Sequence, residues 1–116
     1  MRIEIKGRNT EVTDEVRERV HKKFARVARQ VSDLARLEIV VREEKNPAIT
    51  DRYVAEANLH LKGVTLHAEE ASPEILRAVH DVSEDIRRQV KRDREKRRKR
   101  SVARRFSGRL RRETAQ

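Results

Sequence analysis

Three groups of side chains in this sequence have the types and spacing to do chemistry. The largest is the run QVKRDREKRRKR, Gln89 to Arg100, where only Asp93 and Glu95 interrupt the positive charges. Guanidinium and ammonium groups at that density suit phosphates, because each contact neutralises a backbone charge and releases a condensed counterion. The plainer reading is a solvated, solubilising helix end. The second group is Lys22, Lys23, Arg26 and Arg29, with Glu15 and Glu18 nearby; alone it fits an ordinary charged helix surface equally well. The third is His60 and His67, on neighbouring predicted strands. Two imidazoles without a third ligand make a poor metal site, so exposed histidines are the better reading. Glu69 and Glu70 read as a solvated strand end rather than a catalytic pair.

The remaining chemistry is set by what is missing. The absence of cysteine removes disulfides, thiolate zinc sites and a Cys nucleophile. No Ser sits in a nucleophile elbow, and no Gly-rich loop cradles a phosphate. The sequence therefore predicts a binding protein rather than an enzyme, without cofactor, metal or small-molecule substrate. The N-terminus, MRIEIKGRNTEV, lacks an apolar core of signal-peptide type, and no run approaches a membrane span, which predicts a soluble cytoplasmic protein without a membrane partner.

The charge is unevenly placed. Residues 1–86 carry 15 Lys/Arg against 17 Asp/Glu, a net of −2, whereas residues 87–116 carry 15 against 3, a net of +12. A nearly neutral body with a cationic end points to a polyanion. The 116 residues are enough for one domain, and we expect it over 1–95, followed by a basic helix extension and disordered tail over 96–116.

Six elements position these groups. MRIEIKG alternates Ile3 and Ile5 against charged neighbours and reads as a strand closed by Gly7. Thr13 caps a helix whose Val16, Val20, Phe24, Val27 and Val31 make one apolar stripe. Strands follow with Leu37, Ile39 and Val41, then Tyr53, Ala55, Ala57, Leu59 and Leu61, then Val64, Leu66 and Ala68 facing inward. Asn46-Pro47 marks a connection and Gly63 a hairpin turn. Ser72-Pro73 signals a second helix, with Ile75, Val79, Val82, Ile86 and Val90 buried. The stripe stops at Val90, so that helix should project about two turns past the sheet and fray near Arg100, with SVARRFSGRLRRETAQ as the disordered tail.

The predicted fold is α+β, β-α-β-β-β-α: a four-stranded mixed sheet, its first two strands parallel, with both helices on one face and the second helix extended. It resembles a double-stranded RNA-binding domain with an extra N-terminal strand. Of the three aromatics, Phe24 and Tyr53 face inward and Phe106 lies in the tail, so no base-stacking strand platform exists. Backbone and shape recognition of folded RNA is favoured.

Three stretches, GRNTEVTDEVRERVHKKF, TLHAEEAS and EDIRRQVKR, together resemble the ribosome hibernation-promoting factor and ribosome-associated inhibitor family, over residues 1 to about 95. The resemblance implies a factor that binds the small ribosomal subunit, in the channel of mRNA and the A- and P-site tRNAs. Such a factor silences idle ribosomes by steric occupancy during stress or stationary phase. Its partners would be the small subunit, its rRNA and whole ribosomes, with the protein itself monomeric off the ribosome. Carried over by position, the rRNA contacts are Lys22, Lys23, Arg26 and Arg29 on the first helix. On the second they are Arg87, Arg88, Lys91, Arg92 and Arg94. Lys96, Arg97 and Arg98 extend the same basic run.

The chain departs from the family pattern in three places. Ile75 to Arg77 stand where an aromatic is common, Asp93 stands where a tyrosine is common, and the C-terminal dimerisation domain of long members does not follow. It therefore resembles a short form, or the N-terminal domain of a long one. A competing reading is a general structured-RNA binder or RNA chaperone without a unique ribosomal site. Another is an RNA-anchored module whose open sheet face, including Asn58 and His60, recruits a partner.

Overall fold

The computed structural model describes residues 1–114, with side chains through Arg105, and its six elements follow the predicted β-α-β-β-β-α order. β1 (Arg2–Arg8), β2 (Arg36–Glu43), β3 (Tyr53–Leu61) and β4 (Val64–Ser72) form one sheet in the order β1-β2-β3-β4. β1 and β2 are parallel, with Ile3 opposite Leu37 and Ile5 opposite Ile39. The other pairs are antiparallel. A parallel neighbour cannot be reached by a tight turn, and α1 (Asp14–Gln30) makes the crossover.

The first helix forms where its cap and periodicity place it. The Thr13 hydroxyl accepts a hydrogen bond from the Val16 amide at 3.2 Å, and Asp14 and Glu15 occupy the first turn, where the helix dipole favours negative charge. Val16, Val20, Phe24 and Val27 are buried. They meet Leu37, Ile39 and Val41 of β2, Ala55, Ala57 and Leu59 of β3, and Val79, Val82, Ile86 and Val90 of α2 (Ile75–Thr114) in one core. Alanines 55, 57 and 68 on the inner sheet face leave room for two helices to lie against one sheet.

Two backbone positions need glycine or a tolerant substitute. A Cβ on Gly7 would run into the Thr10 carbonyl oxygen, where the chain doubles back through Asn9 at φ 57°. Gly63, at φ 80°, makes the predicted β3–β4 turn.

The second helix differs from expectation at both ends. It starts at Ile75, two residues after the Ser72-Pro73 signal. Ser72 stays in the β4 ladder opposite Tyr53, and its hydroxyl instead accepts from the Glu74 amide at 3.3 Å. At the other end the helix runs to Thr114, through the stretch expected to fray and become disordered. Helix propensity explains this: residues 101–114 include five arginines, have no proline, and their lone Gly108 costs about 1 kcal/mol. An apolar stripe reports burial, and its end at Val90 marks where the helix leaves the core rather than where it stops. Ala115 and Gln116 of the expected tail lie outside the described residues. The projecting helix stretches the molecule to 72 × 28 × 17 Å.

The open sheet face is a network of polar side chains. Arg42 reaches Glu69 at 2.7 Å, Glu44 at 3.4 Å and Glu56 at 3.6 Å. The Glu69 hydrogen bond is the main cause of its guanidinium pKa being raised, against the opposing effect of burial. His60 Nδ1 lies 3.2 Å from Thr65 Oγ1, and His67 Nδ1 lies 2.7 Å from Asn58 Oδ1. Val54, which alternates with the inward-facing Tyr53 and Ala55, is nevertheless buried, opposite Arg42 and Ala71. A long arginine stem pinned by carboxylates covers apolar surface beside it.

Candidate nucleic-acid interface

Past Val90 the positions that continue the buried stripe, 93, 97, 100 and 104, carry Asp, Arg, Arg and Arg. After Asp93, the helix side that packs on the sheet thus becomes cationic. One flank of α2 carries Arg87, Lys91, Arg94 and Arg98 at spacings of four, three and four, which stacks them in one line along the helix. With Arg88, Glu95 and Gln30 from the end of α1, they line a groove of ≈ 690 Å³. From α1 the lining draws on Gln30, at the last turn of that helix.

α1 divides its cations. Lys23 and Arg26 sit seven and four residues before Gln30, on the same side of α1, but are not among the residues that line the groove. Lys22 and Arg29 lie on the outer side of the helix, since neighbours in sequence point about 100° apart. Arg19, four residues before Lys23, lies on the same side of α1, although a lone arginine between Glu18 and Val20 stands out in no run of the sequence. Arg92 and Lys96 lie three and seven residues after Gln89 on the β4 side of α2. There Gln89 Nε2 donates to the His67 carbonyl at 2.7 Å and to Asp85 at 3.1 Å. Arg97 turns towards the β3–β4 hairpin and donates to the Lys62 carbonyl at 2.9 Å.

Charge pairing separates free cations from engaged ones. Arg87 is held by Glu84 at 2.7 Å and Arg97 by Asp93 at 3.0 Å. Among the described residues, Arg88, Lys91, Arg92, Arg94, Lys96 and Arg98 have no ion pair, nor do the four α1 cations Lys22, Lys23, Arg26 and Arg29. Arg104 and Arg105, expected in the disordered tail, form a further exposed cationic cluster with Arg97 and Arg100. The opposite balance holds earlier in α2, beside β4. There burial first, then Asp85 and Asp81, push the Glu70 carboxyl pKa up, with Arg88 opposing. No group of three or more His, Cys, Asp or Glu suited to a metal ion occurs among the described residues. In that same part of the chain no helix is long and apolar enough to cross a membrane.

The sequence that builds this β-α-β-β-β-α fold matches a known family. The family model described as sigma 54 modulation protein / S30EA ribosomal protein covers residues 3–98. The chain belongs to this family. It is a family of ribosome hibernation factors and not of enzymes. The ribosome hibernation promoting factor of Salmonella typhimurium is 29% identical over 96 residues, which is 83% of this chain and 96% of that protein. The ribosome hibernation promotion factor of Deinococcus radiodurans is 33% identical over 91 residues, 76% of this chain but 46% of that protein. The chain therefore spans about half the length of that relative.

Solved structures agree. The N-terminal domain of Protein Y from Thermus thermophilus has a TM-score of 0.69 at 29% identity, covering 79% of this chain and 98% of that one. A ribosomal subunit interface protein from Coxiella burnetii has a TM-score of 0.70 at 20% identity, covering 82% and 99%, and shares the fold.

Proposed function

We propose that this protein silences idle ribosomes by lying in the mRNA and tRNA channel of the small subunit, its helices against rRNA phosphates. The observation that carries the reading is the line Arg87, Lys91, Arg94 and Arg98 along the groove beside Gln30, three of the four without a carboxylate partner among the described residues. Unpaired cations on a rigid helix suit a phosphate backbone without side-chain rearrangement. Arg88 also lines the groove, and Lys23 and Arg26 continue the cationic side along α1. Lys22 and Arg29 face outward from α1, and Arg92, Lys96 and Arg97 extend contact around α2. Residues 1–95 are the ribosome-binding unit and 96–116 a basic arm. The protein acts in the cytoplasm and as a monomer off the ribosome. Inhibition needs occupancy alone, because a filled channel excludes mRNA and tRNA.

Co-sedimentation with small subunits and whole ribosomes, with and without mRNA plus initiator tRNA, tests this. Displacement by those ligands is the expected result. Binding that they leave untouched, or that any duplex RNA removes equally well, replaces the reading with general RNA binding.

A further inference from the structure

Where α2 leaves the sheet, a second cleft of ≈ 650 Å³ opens beside the cationic groove. Its floor is apolar, with Val31 at the end of α1, Leu61 at the end of β3 and Val90 on α2. Leu34 stands at its lip, 93% exposed. Arg36, Arg94 and Arg97 rim it, and Arg94 borders both the cleft and the groove. The Arg97 guanidinium is fixed from two directions, by Asp93 at 3.0 Å through Nε and by the Lys62 carbonyl at 2.9 Å through a terminal nitrogen. Held that way, and half exposed, it presents a rigid flat surface.

Those features describe the complement of a nucleotide. Guanidinium planes are stacking partners for unpaired bases, and the size falls within the range of small-ligand sites. The cationic rim matches the charge of a phosphate, and Arg94 makes the cleft continuous with the groove. We propose that the cleft receives one unpaired RNA base, stacked on Arg97 above Val31, Leu61 and Val90, while the adjoining phosphate remains on Arg94. The proposal rests on the groove being a phosphate site and adds discrimination to it. A line of cations reads any backbone, whereas a cleft for one base selects a place where the RNA presents a base outside its stack.

Three hairpin RNAs of equal length test this with the full chain: one fully paired, one with a single extrahelical adenosine, and one with an abasic residue at that position. The adenosine hairpin should bind roughly tenfold tighter than the other two. Leu34→Asp, at an exposed position outside the core, should abolish that preference. Asp93→Ala frees Arg97 while raising the net charge by one. Electrostatics alone would then tighten all three complexes equally, whereas stacking on a fixed Arg97 requires the preference to fall. Equal affinity for the three hairpins, or a preference that survives either substitution, overturns the proposal, and the apolar floor then suits a protein side chain better than a base. Failure of the groove reading looks different: the fully paired hairpin itself would bind without dependence on Lys91 and Arg98.

Discussion

Replacing Lys91, Arg94 and Arg98 with Gln removes three cations from one line of the groove and leaves the buried stripe of α2 untouched. None of the three has an ion pair among the described residues, so no carboxylate is orphaned. Gln is nearly as good a helix former as Lys or Arg. If each side chain neutralises one phosphate, the slope of log affinity against log salt falls by about 0.9 per contact on a duplex, about 2.7 in all. Over a fourfold rise in salt, from about 50 to about 200 mM, that difference amounts to roughly 40-fold. The parent should lose that much more affinity for small subunits than the variant over this range. The matched control replaces Lys6 and Arg8 of β1 and Lys45 of the β2–β3 connection, exposed cations away from the groove, by Gln. It changes net charge by the same amount and should leave the slope nearly intact. Sedimentation across a salt series reads both. Equal slopes for variant and parent would refute the groove as the contact line, and equal loss in variant and control would reduce binding to net charge.

Truncating Phe24, fully buried at the centre of the core, to Ala should cost about 3–5 kcal/mol in urea unfolding. Gly7→Ala should destabilise the domain, because the new Cβ meets the Thr10 backbone oxygen rather than a side chain that can move; an unchanged melting temperature would contradict that geometry. Glu70 gives a pH dependence of definite sign. Its folded pKa is raised by burial and neighbouring carboxylates, so its contribution favours the fold below the unfolded value of roughly 4. That contribution is lost as pH rises through the raised folded value. Glu70→Gln should therefore be more stable than the parent at neutral pH, with the gap closing near pH 4, as read by urea midpoints.

Periodicity made the fold legible. Alternating Ile3 and Ile5 and the four-and-three spacing of Val16 to Val27 leave one solution for each segment, and the crossover helix then requires β1 and β2 to be parallel. The same signal misplaced the end of α2, because hydrophobic spacing registers only what is buried and arginine-rich helix beyond Val90 buries nothing. Ser72 misled at the start, since the residue that caps a helix can equally end a strand. On α2, the 87, 91, 94, 98 line lies within one basic run that composition alone picks out, although its alignment along one flank needs helical spacing. The division between Lys22 and Lys23 requires helical geometry rather than composition. The apolar cleft draws on α1, the loop after it, β2, the β3–β4 hairpin and α2, and no local pattern announces a site assembled from so many segments.

The hydrogen bond from Arg97 to the Lys62 carbonyl sits seven residues beyond the last buried turn of α2. Without it, the arm would pivot at Val90, some 24 residues or about 36 Å from Thr114, and a tilt of about 10° would swing the tip by roughly 6 Å, close to the spacing of one phosphate from the next. With it, the pivot moves outward to Arg97 and the swinging length shortens to about 26 Å. One hairpin carbonyl thus acts as a guy-line on a mast, and the direction in which this protein points its charge is decided at a turn of the sheet that carries only a single lysine.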